Sequence, residues 1–221
     1  REQYWSLSFQ DQSSTSVSGL QNELESKLRE AVSIRMMSDV PLGVFLSGGV
    51  DSTIVTHLMD EVSDQQISTY SIGFDTYDEL DFARQVAKEY DTDHHEYTVE
   101  PDAVEVLPEI VRQFGMPFGD PSAVPTYYVS KMASQDITVA VGGDAGDENF
   151  AGYDRYTYDR ATSIAAGIPK TLRRPIEAGM DILPDSVSSD TSVARLRSLL
   201  ANANRSDVDR YAPYVCYMLG T

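Results

Sequence analysis

Val44 to Thr53 reads VFLSGGVDST, and these ten residues decide how the rest of the chain is read. An apolar run stops at Gly48-Gly49 and a carboxylate, Asp51, follows among hydroxyls. Apolar residues, glycines and then a helix-capable run make a strand–turn–helix joint. In an open parallel sheet, ligands bind beyond the carboxyl ends of the strands. Gly48 and Gly49 let backbone turn sharply and approach a ligand. Amides that open the next helix favour an anion, and Ser47 and Ser52 add hydroxyls. The loop therefore reads as a phosphate cradle. It has no lysine of the GxxxxGK(S/T) kind and does not fit GxGxxG. A carboxylate repels phosphate unless a cation stands between them. Magnesium is held by one or two carboxylates together with phosphate oxygens, so Asp51 reads as a magnesium ligand. The plain alternative is an acidic residue in the first turn of a helix, which is favourable by itself.

Working outward, Gly19 to Ser38 has apolar residues at helical spacing (Leu20, Leu24, Leu28, Val32), with Ser18 as the expected N-cap. Val40–Leu46, Ile67–Phe74, His94–Val99 and Ile137–Val141 read as strands, the last a buried one ending in Gly142-Gly143. Asp51–Val62, Glu79–Tyr90, Ala103–Phe114 and Ala123–Ser134 read as helices. This alternation predicts an α/β fold, a parallel sheet with helices on both faces. After Tyr156 the strand pattern stops, and Pro169, Pro175 and Pro184 punctuate weaker helical stretches. Residues 1–17 read as a linker, 18–156 as the α/β domain and 157–221 as a partial helical extension.

Composition narrows the class. Thirty-five acids against 17 bases give a formal charge of −18, and only Lys27, Lys88, Lys131 and Lys170 are lysines. The acids are scattered rather than blocked, which argues against a disordered acidic tail. This charge opposes nucleic-acid binding, which needs a basic footprint. It repels itself at low salt, a property associated with salt-loving proteins, and a halophilic source is expected. No apolar run approaches the roughly 20 residues of a membrane span. Cys216 is the only cysteine, so no internal disulfide forms, and a cytoplasmic setting fits. Arg1 is not a natural start, which suggests a segment of a longer protein.

SGGVDS resembles the loop of the N-type ATP pyrophosphatases. MSDVPLGVFLSGGVDSTIV, STYSIGF, DELDFARQVAKEYDTDHHEYTV, GMPFGDPSAVPTYYVSKMA and GDENFAGYDRY, in order and register over about residues 18 to 156, resemble the synthetase domain of glutamine-dependent asparagine synthetases. The resemblance implies an adenine nucleotide alpha hydrolase-like, Rossmann-like fold. It implies binding of ATP and Mg²⁺, adenylation of the aspartate side chain with release of pyrophosphate, and displacement of AMP by ammonia. Carried over, Leu46, Ser47, Gly48, Gly49, Asp51 and Ser52 hold the pyrophosphate portion, and Ile72 contacts the adenosine through its backbone. Gly142 and Gly143 line the nucleotide, and Asp147 is the second magnesium carboxylate beside Asp51. Asp144 is the catalytic carboxylate that meets ammonia. By themselves Asp144, Asp147 and Glu148 are also compatible with a solvated acidic turn.

The second cluster departs from the family pattern, which resembles SGEGxDE. Gly142 stands where that pattern has its serine, and Asp144 where it has its first glutamate. The acceptor is therefore less determined than the use of ATP. Asparagine-synthetase-like enzymes that amidate or cyclise other carboxylates are an alternative, and so is a non-catalytic nucleotide-binding module. The resemblance further implies partners: ammonia from a glutaminase domain of the same parent chain, and possible homodimers. It also implies a basic catalytic residue in the helical region, for which no counterpart is apparent after Tyr156. Asp120-Pro121-Ser122 reads as a turn and helix N-cap, His94-His95 as strand-edge residues, His57 as structural, and Tyr153, Tyr156 and Tyr158 as packing residues.

Overall fold

Strand β1 (Leu42–Phe45) is the axis of a four-stranded parallel sheet that also contains β2 (Ser68–Gly73), β3 (Asp93–Thr98) and β4 (Val139–Val141). The order is β3-β2-β1-β4. Val44 pairs with Thr69 of β2 on one side and Val141 of β4 on the other. β2 and β3 run in register from Ser68 opposite Asp93 to Gly73 opposite Thr98. The computed structural model describes residues 2–4, 6, 15–74, 80–99, 103–116, 119–181 and 191–215. Cys216, Pro184 and most of the expected linker lie outside them. The chain divides into two compact units, Arg1–Asp144 and Ala145–Thr221.

In the first unit the connections are α1 (Val17–Arg35) ahead of β1, α2 (Val50–Val62) after it, and α3 (Leu80–Glu89) after β2. Two helices, α4 (Ala103–Phe114) and α5 (Ala123–Ala133), lie between β3 and β4. Successive strand residues face opposite sides of a sheet. Val44 accordingly joins Val32 of α1, Leu58 and Met59 of α2, and Ile67. Its neighbour Phe45 joins Tyr70 and Ile72 against Val129, Met132 and Ala133 of α5. Helices thus cover both faces, as the alternation predicts. Leu58 and Met59 are almost wholly buried, and truncating either to alanine costs about 2–5 kcal/mol.

Three local readings need correction. Ser16, not Ser18, caps α1, its hydroxyl accepting from the Gly19 amide at 3.2 Å. β4 starts at Val139 rather than Ile137, because the Ile137 amide donates to Ala133 O and closes the end of α5. Nor is β4 buried: it is an edge strand with Val139 and Ala140 exposed.

The second unit contains α6 (Gly146–Phe150), α7 (Asp154–Ala166), α8 (Lys170–Asp181), α9 (Thr191–Asn202) and α10 (Asp207–Val215). Among its described residues there is no strand, in line with the loss of strand pattern after Tyr156. Helix α9 packs on α7 and α8. Arg210 of α10 is buried and reaches α7, donating to Asp159 Oδ1 at 2.9 Å and Ser163 Oγ at 2.8 Å.

Candidate active site

The sheet order reverses at β1: β2 lies on one side of it and β4 on the other. The carboxyl ends of β1 and β4 therefore flank a topological switch point, where open α/β sheets bind ligands. Ser47 to Ser52 follows β1, and Gly142-Gly143 follows β4.

Leu46 anchors the first loop. Its side chain is buried against Ala83 and Ala87 of α3, its amide donates to Tyr70 O at 2.9 Å, and its carbonyl accepts from the Ser71 hydroxyl. Gly48 has φ of +77°, and a Cβ there would lie 2.6 Å from the Ala83 amide and Phe82 Cβ. Conformation and the approach of α3 both require glycine at that position. Gly49 is exposed, and a Cβ on it would meet only Ser47 Oγ, at 3.3 Å. Ser52 is buried and its hydroxyl closes the loop on itself. It accepts from Ser47 N at 3.3 Å, donates to Gly49 O at 3.2 Å, and lies 3.0 Å from Ser47 Oγ. Ser47 Oγ in turn accepts from Gly49 N at 3.2 Å. The serines thus hold the backbone of the loop in shape.

That shape leaves donors open. The amides of Val50, Asp51 and Ser52 open α2 and donate to no acceptor among the described residues, whereas Thr53 N returns to Gly49 O at 3.0 Å. Such amides carry the positive end of the helix dipole. Asp51 is half-buried in the same turn, with no ion pair or hydrogen bond among the described residues. A carboxylate without a cation beside amides without an anion suits a magnesium-bound phosphate.

The β4 loop meets this turn closely. A Cβ on Gly143 would lie 2.7 Å from Ser52 N and 2.9 Å from Asp51 Cβ. A Cβ on Gly142 would lie 2.7 Å from Asp144 Oδ2. The short Asp144 carboxylate thus folds back over space that a side chain at 142 would need, which links the departures at 142 and 144 from the SGEGxDE pattern. The structure brings Ser47, Gly48, Gly49, Asp51, Ser52 and Gly143 together. Ile72 stands near the end of the adjacent β2, with its side chain in the α5-side core.

Asp147 belongs to α6 in the second unit, between Ala145 and Ala151, both in the left-handed region at φ 69° and 58°. Its carboxylate lies over Gly152, where a Cβ would be 1.9 Å from Oδ1. The neighbouring Glu148 accepts from the Tyr153 hydroxyl at 2.7 Å, and this bond holds its pKa below the ordinary carboxylate range. The Arg155 guanidinium stands 3.7 Å from the Tyr153 ring centroid. Reading Tyr153 as a packing residue misses its hydroxyl. The available signal was a tyrosine five residues after a glutamate, with glycine before it and arginine two residues after it.

Elsewhere, Asp120 rather than Ser122 supplies the turn bond ahead of α5. Its carboxylate accepts from Ser122 N at 2.9 Å, which depresses its pKa, while the Ser122 side chain makes no cap. His94 lies on the edge strand β3 with Nδ1 2.7 Å from Thr69 Oγ1. His57 packs within α2's surroundings, its ring centroid 5.4 Å from that of Tyr90.

The asparagine synthase family model matches residues 23–215. Over 149 residues the chain is 43 % identical to a protein named, provisionally, as a glutamine-hydrolysing asparagine synthetase 2 of Methanocaldococcus jannaschii, covering 66 % of this chain and 29 % of that protein. It is 31 % identical over 195 residues to the glutamine-hydrolysing asparagine synthetase 1 of Bacillus subtilis, covering 87 % of this chain and 30 % of that one. The chain thus spans less than a third of the length of these curated relatives. Among solved structures, an NMN synthetase from Francisella tularensis aligns with a TM-score of 0.43 at 18 % identity, over 60 % of this chain and 58 % of that chain. With the family match running through β1, the Ser47–Ser52 loop, β4 and the helices beyond, the chain belongs to the asparagine synthase family.

Proposed function

We propose that this chain supplies the nucleotide-binding part of an ATP-dependent, amide-forming synthetase that adenylates the side-chain carboxylate of aspartate. The observation that carries this reading is the Ser47–Ser52 loop. Its Val50, Asp51 and Ser52 amides are open beside the Asp51 carboxylate, at the switch point between β1 and β4. Leu46 to Ser52 would hold the pyrophosphate portion of ATP, with Ile72, Gly142 and Gly143 along the nucleotide. Asp51 and Asp147 would hold Mg²⁺, which offsets the charge of the phosphates and of the incoming carboxylate. The open amides of α2 orient the phosphate chain for displacement in line.

An aspartate carboxylate oxygen attacks the α-phosphorus, and the bond to the bridging oxygen breaks, releasing pyrophosphate. Ammonia then attacks the activated carbonyl carbon. The carbon–oxygen bond to AMP breaks, and the nitrogen loses one proton as the amide forms. Asp144 would orient ammonia and accept that proton. Delivery of ammonia from glutamine by a glutaminase domain of the same parent chain belongs to this proposal, as do homodimers, a cytoplasmic setting and a halophilic source. Among the described residues no helix is long and apolar enough to cross a membrane.

The packing of Asp144 over Gly142 favours one further reading, the same adenylation with a different carboxylate acceptor. ATP–pyrophosphate exchange decides between the two when run on the full parent chain with Mg²⁺ in molar KCl against a panel of carboxylic acids. Exchange with aspartate is the expected result. Exchange with another acid alone replaces the substrate and keeps the chemistry. ATP binding without exchange on any acid overturns the proposal in favour of a nucleotide-binding module.

A further inference from the structure

Asp147 and Glu148 are adjacent carboxylates on a single turn of helix. Side chains one residue apart on a helix point about 100° away from each other, so they do not converge on one ion. Something must decide which of them faces the metal. We propose that the turn Ala151–Arg155 makes that choice, clearing a place for the Asp147 carboxylate and occupying Glu148. The inference rests on the reading of Asp147 as a magnesium ligand.

The turn is tied to Asp147 by its backbone. Ala151 reverses the chain at φ 58°, and the amides of Ala151 and Gly152 both donate to Asp147 O, the latter at 3.0 Å. This brings Gly152 beneath the carboxylate. A Cβ there would lie 1.9 Å from Asp147 Oδ1 and 2.9 Å from Cγ, closer than any van der Waals contact. Every residue but glycine would drive the carboxylate out of its place. The next residue acts on Glu148: the Tyr153 hydroxyl donates to Oε1 at 2.7 Å. Arg155 stacks on the Tyr153 ring at 3.7 Å from its centroid, a cation–π contact that holds the ring where its hydroxyl reaches Glu148. Gly152, Tyr153 and Arg155 are therefore positioning residues, acting through the two carboxylates.

The test is Mn²⁺ binding in the presence of ATP, followed by the electron paramagnetic resonance of free Mn²⁺ on the full chain, with thermal unfolding of each variant alongside. Asp147→Asn and Gly152→Ala should each weaken Mn²⁺ binding by about tenfold or more, and the double variant no further than Asp147→Asn alone. Glu148→Gln should stay within about twofold of the parent. Unchanged affinity in Gly152→Ala while Asp147→Asn weakens it overturns the positioning role and leaves the metal reading intact. Unchanged affinity in Asp147→Asn overturns both. A loss in Glu148→Gln equal to that in Asp147→Asn overturns the selection. Should Gly152→Ala fold poorly, Asp147→Ala/Gly152→Ala removes the colliding oxygen and should restore the fold. Failure to restore it counts against the proposal.

Discussion

Ala145 and Ala151 hold left-handed backbone at the two ends of a five-residue helix. That conformation presses Cβ toward the following carbonyl and costs about 1–2 kcal/mol. Glycine escapes the clash but gives back about 0.4–1 kcal/mol through its freer unfolded chain. Ala145→Gly and Ala151→Gly are each expected to stabilise the protein by about 0.5–1 kcal/mol, read as a higher urea midpoint at unchanged slope. Ala145 stands where the SGEGxDE pattern carries glycine, a departure that a reading confined to Gly142 and Asp144 passed over. The space under Asp147 was not legible. It depends on a chain reversal five residues long, and nothing in the spacing of Asp147 and Gly152 says that one lies beneath the other. The roles of Ser47 and Ser52 were half legible. Their hydroxyls invite a ligand on paper, and the folded loop spends them on its own backbone.

At the level of strands and helices the sequence pattern carried further. Alternating apolar runs and helical periods placed α1 to α5 and β1 to β4 to within a few residues, because each helix buries one apolar face, against the sheet or, for α4, against α5. The run ITVAV was the exception: an apolar run does not show where a helix end stops and a strand begins. Gly143→Ala tests how β4 meets α2. The added methyl would press on Ser52 N and Asp51 Cβ, with an expected cost of about 1–3 kcal/mol. ATP binding should weaken in the same variant, which calorimetry would measure.

The edge strand gives a second expectation. Burial holds the pKa of His94 below that of an ordinary imidazole, the nearby Arg84 and His95 charges act in the same direction, and Glu96 opposes them. Its Nδ1 faces Thr69, and Nε2 lies 3.2 Å from Glu96 Oε1. The unfolded chain therefore takes up a proton that the fold resists. Stability should be full above the ordinary imidazole range and fall as pH drops through it. His94→Gln should flatten that slope in urea titrations run across pH.

Charge acts on the molecule as a whole. With 35 acids against 17 bases, carboxylates outnumber lysines and arginines about two to one. The pairs that do form, such as Arg29 with Glu25 and Glu61 and Arg84 with Asp81 and Glu96, lie at the surface. Exposed pairs add little to stability and do not offset the long-range repulsion of the net charge. Screening shortens the range of that repulsion. The melting temperature is therefore expected to rise steadily from dilute buffer to molar KCl. A flat or falling profile in differential scanning calorimetry would remove the case for a salt-loving protein.

The two walls of the nucleotide loop differ in when they can form. β1 meets β2 after a short crossover through α2, with Gly43 opposite Ser68, but it meets β4 only across most of the first unit, with Leu42 opposite Val139. Closing the longer loop costs more chain entropy, and distant pairings are made late. A chain emerging from the ribosome would shape Ser47 to Ser52 early and wait for Gly143 before the site had its second side. In pulse-labelled refolding, amides of β1 and β2 would gain protection first, and affinity for nucleotide would arrive with β4.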